Sequence, residues 1–284
     1  MQIGLISDTH MPQRCFEFPV TLPQVFSDLD LILHAGDVGE LWVLDELSQF
    51  APIIAVHGND DSLDSQRELP LQQVVTIGGR RILLWHGHYP DRIDELTSRT
   101  DELRPKLRRI AQRARRAGAS IVVFGHWHLP FAYDEGGILL INPGTIELGN
   151  AAFRQLIQTV AILELDNNGS PAVTHIDLAN PTEPYHSPID FDAGFRAALD
   201  HFTRDCRSSE IIADSPKFRQ AFDQIIPETA RLAVFEALNE AAYPVWRDEK
   251  KFVTRQDRLE AIQRSTAIPR DVQQKLVDLF TVGE

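Results

Sequence analysis

Short apolar runs, each closed by a glycine or a polar turn, recur through the first 180 residues. Ile3–Ile6, Leu29–His34 and Pro52–Val56 read as buried strands. Between them lie an amphipathic stretch near Gln24–Leu29 and a helix over Leu41–Gln49, with Leu41, Leu44 and Leu47 on one face. This β-α-β-α-β rhythm predicts parallel strands joined by right-handed crossovers. The pattern then changes. Gln72–Ile77 and Arg80–Trp85 flank Gly78-Gly79, a hairpin signal. Residues 91–117 are charged and helical in period, and Ile121–Phe124 is a further strand. Phe131–Asp134 and Ile138–Ile141 flank Glu135-Gly136-Gly137, while Thr159–Leu165 and Ala172–Leu178 flank a turn at 166–169.

Residues 179–188 contain Pro181, Pro184 and Pro188 and read as a linker. Beyond them only helical segments are predicted: Phe191–Phe202, Phe218–Ile226, Glu228–Ala242, Arg255–Ser265 and Arg270–Phe280. Thr229, Thr254 and Pro269 stand near helix starts. The expected division is a domain over 1–180 and a helical region over 189–284, acting as a cap, a buttress or an interface. Homo-oligomerisation through those helices is open.

Composition narrows the function. Of 284 residues, 43 % are hydrophobic and 24 % charged, ample for a folded core. A net charge of −13 argues against non-specific nucleic-acid binding, which needs cationic surface. Cys15 and Cys206 make no disulfide framework and fit a reducing compartment. No basic leader and no apolar run of membrane-spanning length is seen, so a cytoplasmic protein without a membrane partner is expected.

The chemistry lies at the strand ends. Asp8, His10, Asp37, Asn59, His86, His126 and His128 each follow a predicted strand, beside a glycine or in a turn. In an open α/β sheet that is where ligands sit. Carboxylate, imidazole and amide donors suit Mn²⁺ best, with Fe, Zn²⁺, Ni or Co possible, and suit Mg²⁺ less well. Asp37, on the middle strand of the first three, is the expected bridge between two ions. One ion would take Asp8, His10, Asp37 and His128; the other Asp37, Asn59, His86 and His126. A dinuclear site of this kind suits hydrolysis of a phosphate ester by metal-bound hydroxide, because two cations acidify a water and neutralise charge on phosphorus. Asp37, Asn59 and His126 are the residues expected to serve the reacting group.

Asp8-x-His10, Gly36-Asp37, Gly58-Asn59, His86-Gly87-His88 and Gly125-His126-x-His128 together resemble the calcineurin-like metallophosphoesterase superfamily. The resemblance covers about residues 1–178. It is nearest to the small bacterial and archaeal phosphodiesterase branch, which also holds the retromer subunit of this fold. It implies a four-layer α/β/β/α sandwich, here extended by an all-helical C-terminal region. It also implies that His86, the first histidine of His-Gly-His, is the ligand, and that Asn142-Pro143-Gly144-Thr145 lies near the site. The implied activity is a hydrolase acting on a phosphodiester or a nucleotide-like phosphoanhydride. The alternative is a non-catalytic scaffold or binding protein on the same fold.

Asp60 departs from the family pattern, which often places histidine or cysteine after the metal asparagine. A carboxylate there repels an anionic substrate unless protonated or turned away. Asp61 is expected to hold a ligand or the loop by hydrogen bonds. His88 is either a phosphate contact or a loop residue. His34 and His57 read as packed residues, and His175, His186 and His201 as surface residues. Seven basic residues lie in 104–116. They form either a solvated helix face paired with Glu95, Asp101 and Glu102 or an electropositive rim.

Overall fold

The computed structural model describes residues 1–281 apart from 90, 92–93, 95–99 and 169. The chain forms two compact units, Met1–Glu147 with Leu156–Phe202, and Leu148–Gln155 with Thr203–Glu284. This division differs from one at the proline-rich segment, since residues 189–202 belong with the first unit.

The first unit holds two sheets. Strands β1 (Gln2–Ile6), β2 (Leu31–His34) and β3 (Ile53–Ala55) run parallel. They are joined by α1 (Leu22–Val25) and α2 (Trp42–Leu47), and α3 (Leu63–Glu68) follows. β10 (Thr159–Leu165) lies antiparallel to β1, and β11 (Pro171–Asp177) and β12 (Pro184–Tyr185) complete a six-stranded sheet. The residues read as a linker therefore contribute an edge strand. The five-stranded sheet has the order β4 (Gln72–Ile77), β5 (Arg80–Trp85), β6 (Ile121–Val123), β8 (Leu139–Asn142), β7 (Phe131–Asp134). β5, β6 and β8 are parallel, and both edge strands are the antiparallel arms of the expected hairpins.

The two-residue period of a strand explains the layering. Ile3, Leu5, Ile82, Leu84, Ile121, Val123 and Ile141 point between the sheets into one core. Their neighbours point the other way. Ile6 and Ile32 pack with Phe26, Val43 and Leu47 of the helical layer. Leu83, Trp85, Val122 and Phe124 pack with Leu107, Ile110 and Ala114 of α4 (Leu103–Arg116). The result is the α/β/β/α sandwich, with strands buried on both faces and hence written as continuous apolar runs. α5 (Phe195–Asp200) adds Ala198 to the α4 side, where Phe202 is also buried. Of the expected helix over 91–117, the part at 92–93 and 95–99 lies outside the described residues, as does Glu95.

The second unit contains α6 (Ser209–Ile225), α7 (Glu228–Trp246), α8 (Arg255–Arg264) and α9 (Arg270–Thr281). Thr254 and Asp257 form a reciprocal capping box at the start of α8. Val234, Leu238, Val245, Ile262 and Leu276 are buried there. A two-stranded ribbon, β9 (Phe153–Gln155) with β13 (Thr203–Asp205), corrects the expectation of helices alone. Thr203-Arg204-Asp205 is too short and polar to show an alternating pattern. Among the described residues no helix is long and apolar enough to cross a membrane.

His175 corrects a second expectation, for it is buried on β11 with Nε2 2.8 Å from the Asn142 carbonyl. Burial pushes its pKa down to about 4. Above the unfolded value of 6.5 it is neutral in both states. Stability is present there and is lost as pH falls toward 4, because only the unfolded chain takes up the proton. Denaturant titrations at pH 8 and pH 5 will show that His175→Gln loses about 2 kcal/mol less than the parent between the two. Equal losses would refute the assignment.

Candidate functional site

The carboxyl ends of β1, β2, β3, β5 and β6 converge. Five side chains expected to be ligands, Asp8, His10, Asp37, His126 and His128, sit on left-handed backbone, with φ between +47° and +68°. Among the described residues only one other non-glycine residue has positive φ. Aspartate and histidine tolerate this region better than most residues, yet each still costs roughly 1 kcal/mol. The strain is held by hydrogen bonds from Asp8 N to Gly36 O (2.9 Å) and from His10 N to Asp37 O (3.0 Å). It turns each side chain back over the strand ends.

Two glycines make room. At Gly58 a Cβ would overlap the Asp37 carboxylate, and at Gly125 it would come within 2.5 Å of Asp8 Oδ2. The Asn142 loop fastens the same corner. Asn142 Nδ2 donates to Gly125 O (2.9 Å), and Thr145 Oγ1 donates to Asp8 O (2.8 Å).

Asp8, His10 and His128 form one compact donor group, and Asp8, Asp37 and His86 a second. Asp8 Oδ1 lies 3.0 Å from His128 Nε2 and 3.9 Å from both His10 Nε2 and His86 Nε2. Asp37 Oδ2 lies 3.5 Å from His10 Nε2 and 3.1 Å from His86 Nε2. Two carboxylates thus lie between histidines from different strands. His86 Nδ1 faces the Ala35 carbonyl at 2.8 Å and must donate to it. That leaves the Nε2 lone pair directed at the carboxylates, with no hydrogen-bond donor to satisfy it. A buried nitrogen lone pair beside two carboxylates fits a cation.

The electrostatics agree. Burial alone would raise Asp8, but His128 and His86 take it down to about 2. Burial would likewise raise Asp37, and His86 and His10 hold it well below the usual carboxylate range. His86 is lowered by burial but lifted to about 9 by Asp37, so a proton and a cation compete for the same Nε2 between the carboxylates. The carboxylates are anions that require positive charge nearby.

The other expected residues fall around this centre. His126 donates its backbone N–H to Asp8 Oδ2 at 3.0 Å, and its ring lies 5.2 Å from that of His86, but it joins neither compact group. Asn59 is exposed and its amide donates to Asp60. Asp61 accepts from the backbone N–H groups of Asp37, Gly39 and Gly58 at 2.6–3.0 Å, so one carboxylate fixes two loops. Burial, with His86 and His126 beside it, pushes His88 down to about 4 and keeps it neutral. His34 is wholly buried, accepting from Gly36 N and facing Thr9 Oγ1. Asp60 is exposed, pairs with Arg14 at 2.6 Å and has a carboxylate oxygen in a compact group with His10 and Asp37.

Arg14 and Glu147 escape sequence reasoning. Glu147 is 1 % exposed, with Oε1 3.1 Å from His128 Nδ1 and Oε2 3.4 Å from His10 Nε2. It orients His128 so that Nε2 faces Asp8, and His128 with Arg14 overcomes its burial and lowers it to about 2. Neither residue ends a strand. The nearest signal for Glu147 is its place two residues after the Asn-Pro-Gly-Thr loop. Three basic residues of α4 are tied to neighbouring strands and turns: Arg113 to Gln72 and the Trp85 ring, Arg115 to the Glu135 and Gly136 carbonyls, Arg104 to Asp192 and Tyr133. Asp101 instead accepts from the backbone of Arg196.

Residues 1–168 match the family model for the calcineurin-like phosphoesterase superfamily domain. The chain belongs to this family. A probable metallophosphoesterase of Methanocaldococcus jannaschii is 39 % identical over 145 residues, 51 % of this chain and 68 % of that protein. A phosphodiesterase of the same organism is 24 % identical over 181 residues, covering 58 % of this chain and 94 % of that one. Wild-type Vps29 of Entamoeba histolytica, solved with zinc, is 23 % identical with a TM-score of 0.46 and covers 63 % of this chain and 99 % of its own. Family membership rests on the sequence matches.

Glu147→Gln keeps the shape but removes the charge that holds His128 and His10. Its affinity for Mn²⁺, measured by equilibrium dialysis, is expected to fall about 10- to 100-fold. Unchanged affinity would show that Glu147 does not support the donors.

Proposed function

We propose that the chain is a dinuclear metal-dependent phosphoesterase acting on a phosphodiester or a nucleotide-like phosphoanhydride. One observation carries this reading: Asp8 and Asp37, both buried, lie between histidines supplied by separate strand ends. His10 and His128 with Asp8 and Asp37 are the donors for one divalent ion, and His86 with the shared Asp37 for the other. Asn59 and His126 complete the second set in this reading. The donor set favours Mn²⁺, with Fe, Zn²⁺, Ni or Co as alternatives. Such ions supply a water of lowered pKa and positive charge beside phosphorus.

The chain's own residues do the rest. Asp37 bridges the two halves of the site, and the backbone N–H of Asp60 donates to Asp37 Oδ1 at 2.8 Å, fixing its orientation. Glu147 orients His128, the Ala35 carbonyl orients His86, and Asp61 holds the loops that carry Asp37 and Gly58. His88, neutral and next to the rings of His86 and His126, is placed to hydrogen-bond a phosphoryl oxygen. The residue types of the whole donor set are competent, which speaks against a scaffold that has lost catalysis.

Chelator-stripped protein should not hydrolyse bis(p-nitrophenyl) phosphate, and Mn²⁺ should restore activity. Asp37→Asn should lower kcat/KM by about 1000-fold or more, since it removes a charge needed only when the site is assembled. Full activity in that variant would refute the bridging role. Folded protein inactive with every metal would favour the scaffold reading.

A further inference from the structure

The Asp60 position has a consequence for substrate choice. Arg14 follows the β1 loop in a turn closed by its N–H to His10 O at 2.8 Å. This places the guanidinium at the mouth of the donor cluster, with Nη1 3.5 Å from His10 Nε2. Its two ends are held differently. Nη1 donates to Glu147 at 3.2 Å, and that side chain is only 2 % exposed. Nη2 donates to Asp60 at 2.6 Å, and the Asp60 side chain is 41 % exposed. Asp60 also lies against the centre, because its carboxylate shares a compact group with His10 and Asp37.

The buried end is an anchor and the exposed end is exchangeable. A carboxylate in solvent gains little from an ion pair, so an incoming anion displaces it at small cost. A guanidinium presents paired donors that match phosphoryl oxygens. We infer that Arg14 is a substrate-binding residue that takes a phosphoryl oxygen in place of Asp60. We further infer that this selects substrates bearing a dianionic phosphoryl group, such as a terminal phosphoanhydride, over simple diesters. Asp60 then acts as a stand-in anion that keeps the guanidinium aimed while no substrate is bound. The unfavourable carboxylate at this position is thereby neutralised and made useful. A dianion gains more than a monoanion from the added positive charge, since Coulomb energy scales with the product of charges.

This inference rests on the phosphoesterase reading, and the test separates the two. Mn²⁺-loaded protein is titrated calorimetrically with inorganic phosphate and, separately, with dimethyl phosphate, and bound metal is counted by atomic emission. Arg14→Gln should weaken inorganic phosphate about 10- to 100-fold and dimethyl phosphate much less, with metal content unchanged. Arg14→Lys should recover part of the loss, having the charge without the fork. Asp60→Asn should act in the opposite direction, tightening inorganic phosphate by roughly 3- to 10-fold, because the competing anion is gone. Equal phosphate affinity in parent and Arg14→Gln would overturn the inference and leave the phosphoesterase reading intact. So would weaker phosphate binding in Asp60→Asn, or a fall in its metal content, either of which would make Asp60 a ligand. Parent protein that takes up no metal and no phosphate would overturn both.

Discussion

Four carboxylates, Asp8, Asp37, Asp61 and Glu147, lie almost wholly out of water at one end of two facing sheets. Ionised carboxylates in such a place are tolerated only with compensating charge and hydrogen bonds. Each has a different answer. Asp61 takes three backbone N–H groups. Glu147 takes Arg14 and two histidine rings. Asp8 and Asp37 face histidines whose lone pairs are the natural partners of a cation. The local structure of the first unit serves this arrangement: left-handed backbone at Asp8, His10, Asp37, His126 and His128, glycines at Gly58 and Gly125, and the Asn142 loop that ties strand ends to one another.

Much of this was legible in the sequence because strands buried on both faces are written as apolar runs, and parallel strands bring their carboxyl ends together. Asp8, His10, Asp37, His86 and His128 could be gathered by position alone. The hairpins at Gly78-Gly79 and Gly136-Gly137 were equally plain, since their turns require positive φ. The remainder depends on tertiary contact. Arg14 lies in a proline-bearing loop and Glu147 beyond a tight turn, so no periodicity marks them. His175 reads as a surface residue, yet its neighbour across the fold is the Asn142 carbonyl. Phe202 follows the proline-rich segment but is buried with the α4 side of the first unit, as hydrophobic clustering rather than sequence order dictates.

The departure at Asp60 shows how one substitution is absorbed. A carboxylate facing an anionic substrate is unfavourable by itself. Paired with Arg14, whose other arm is locked by Glu147, it becomes part of a charge-paired network at the rim of the site. Charge at the centre and charge at the rim therefore answer separate needs. The buried donors suit divalent cations, while the guanidinium suits the oxygens of what those cations act on.

The most direct test of the proposed two-ion centre is anomalous scattering at the manganese edge from crystals of the Mn²⁺-loaded protein. Two peaks about 3.5–4 Å apart, flanked by Asp8, His10 and His128 on one side and by Asp37 and His86 on the other, are the expected result. A single peak, or peaks away from these residues, would contradict the account.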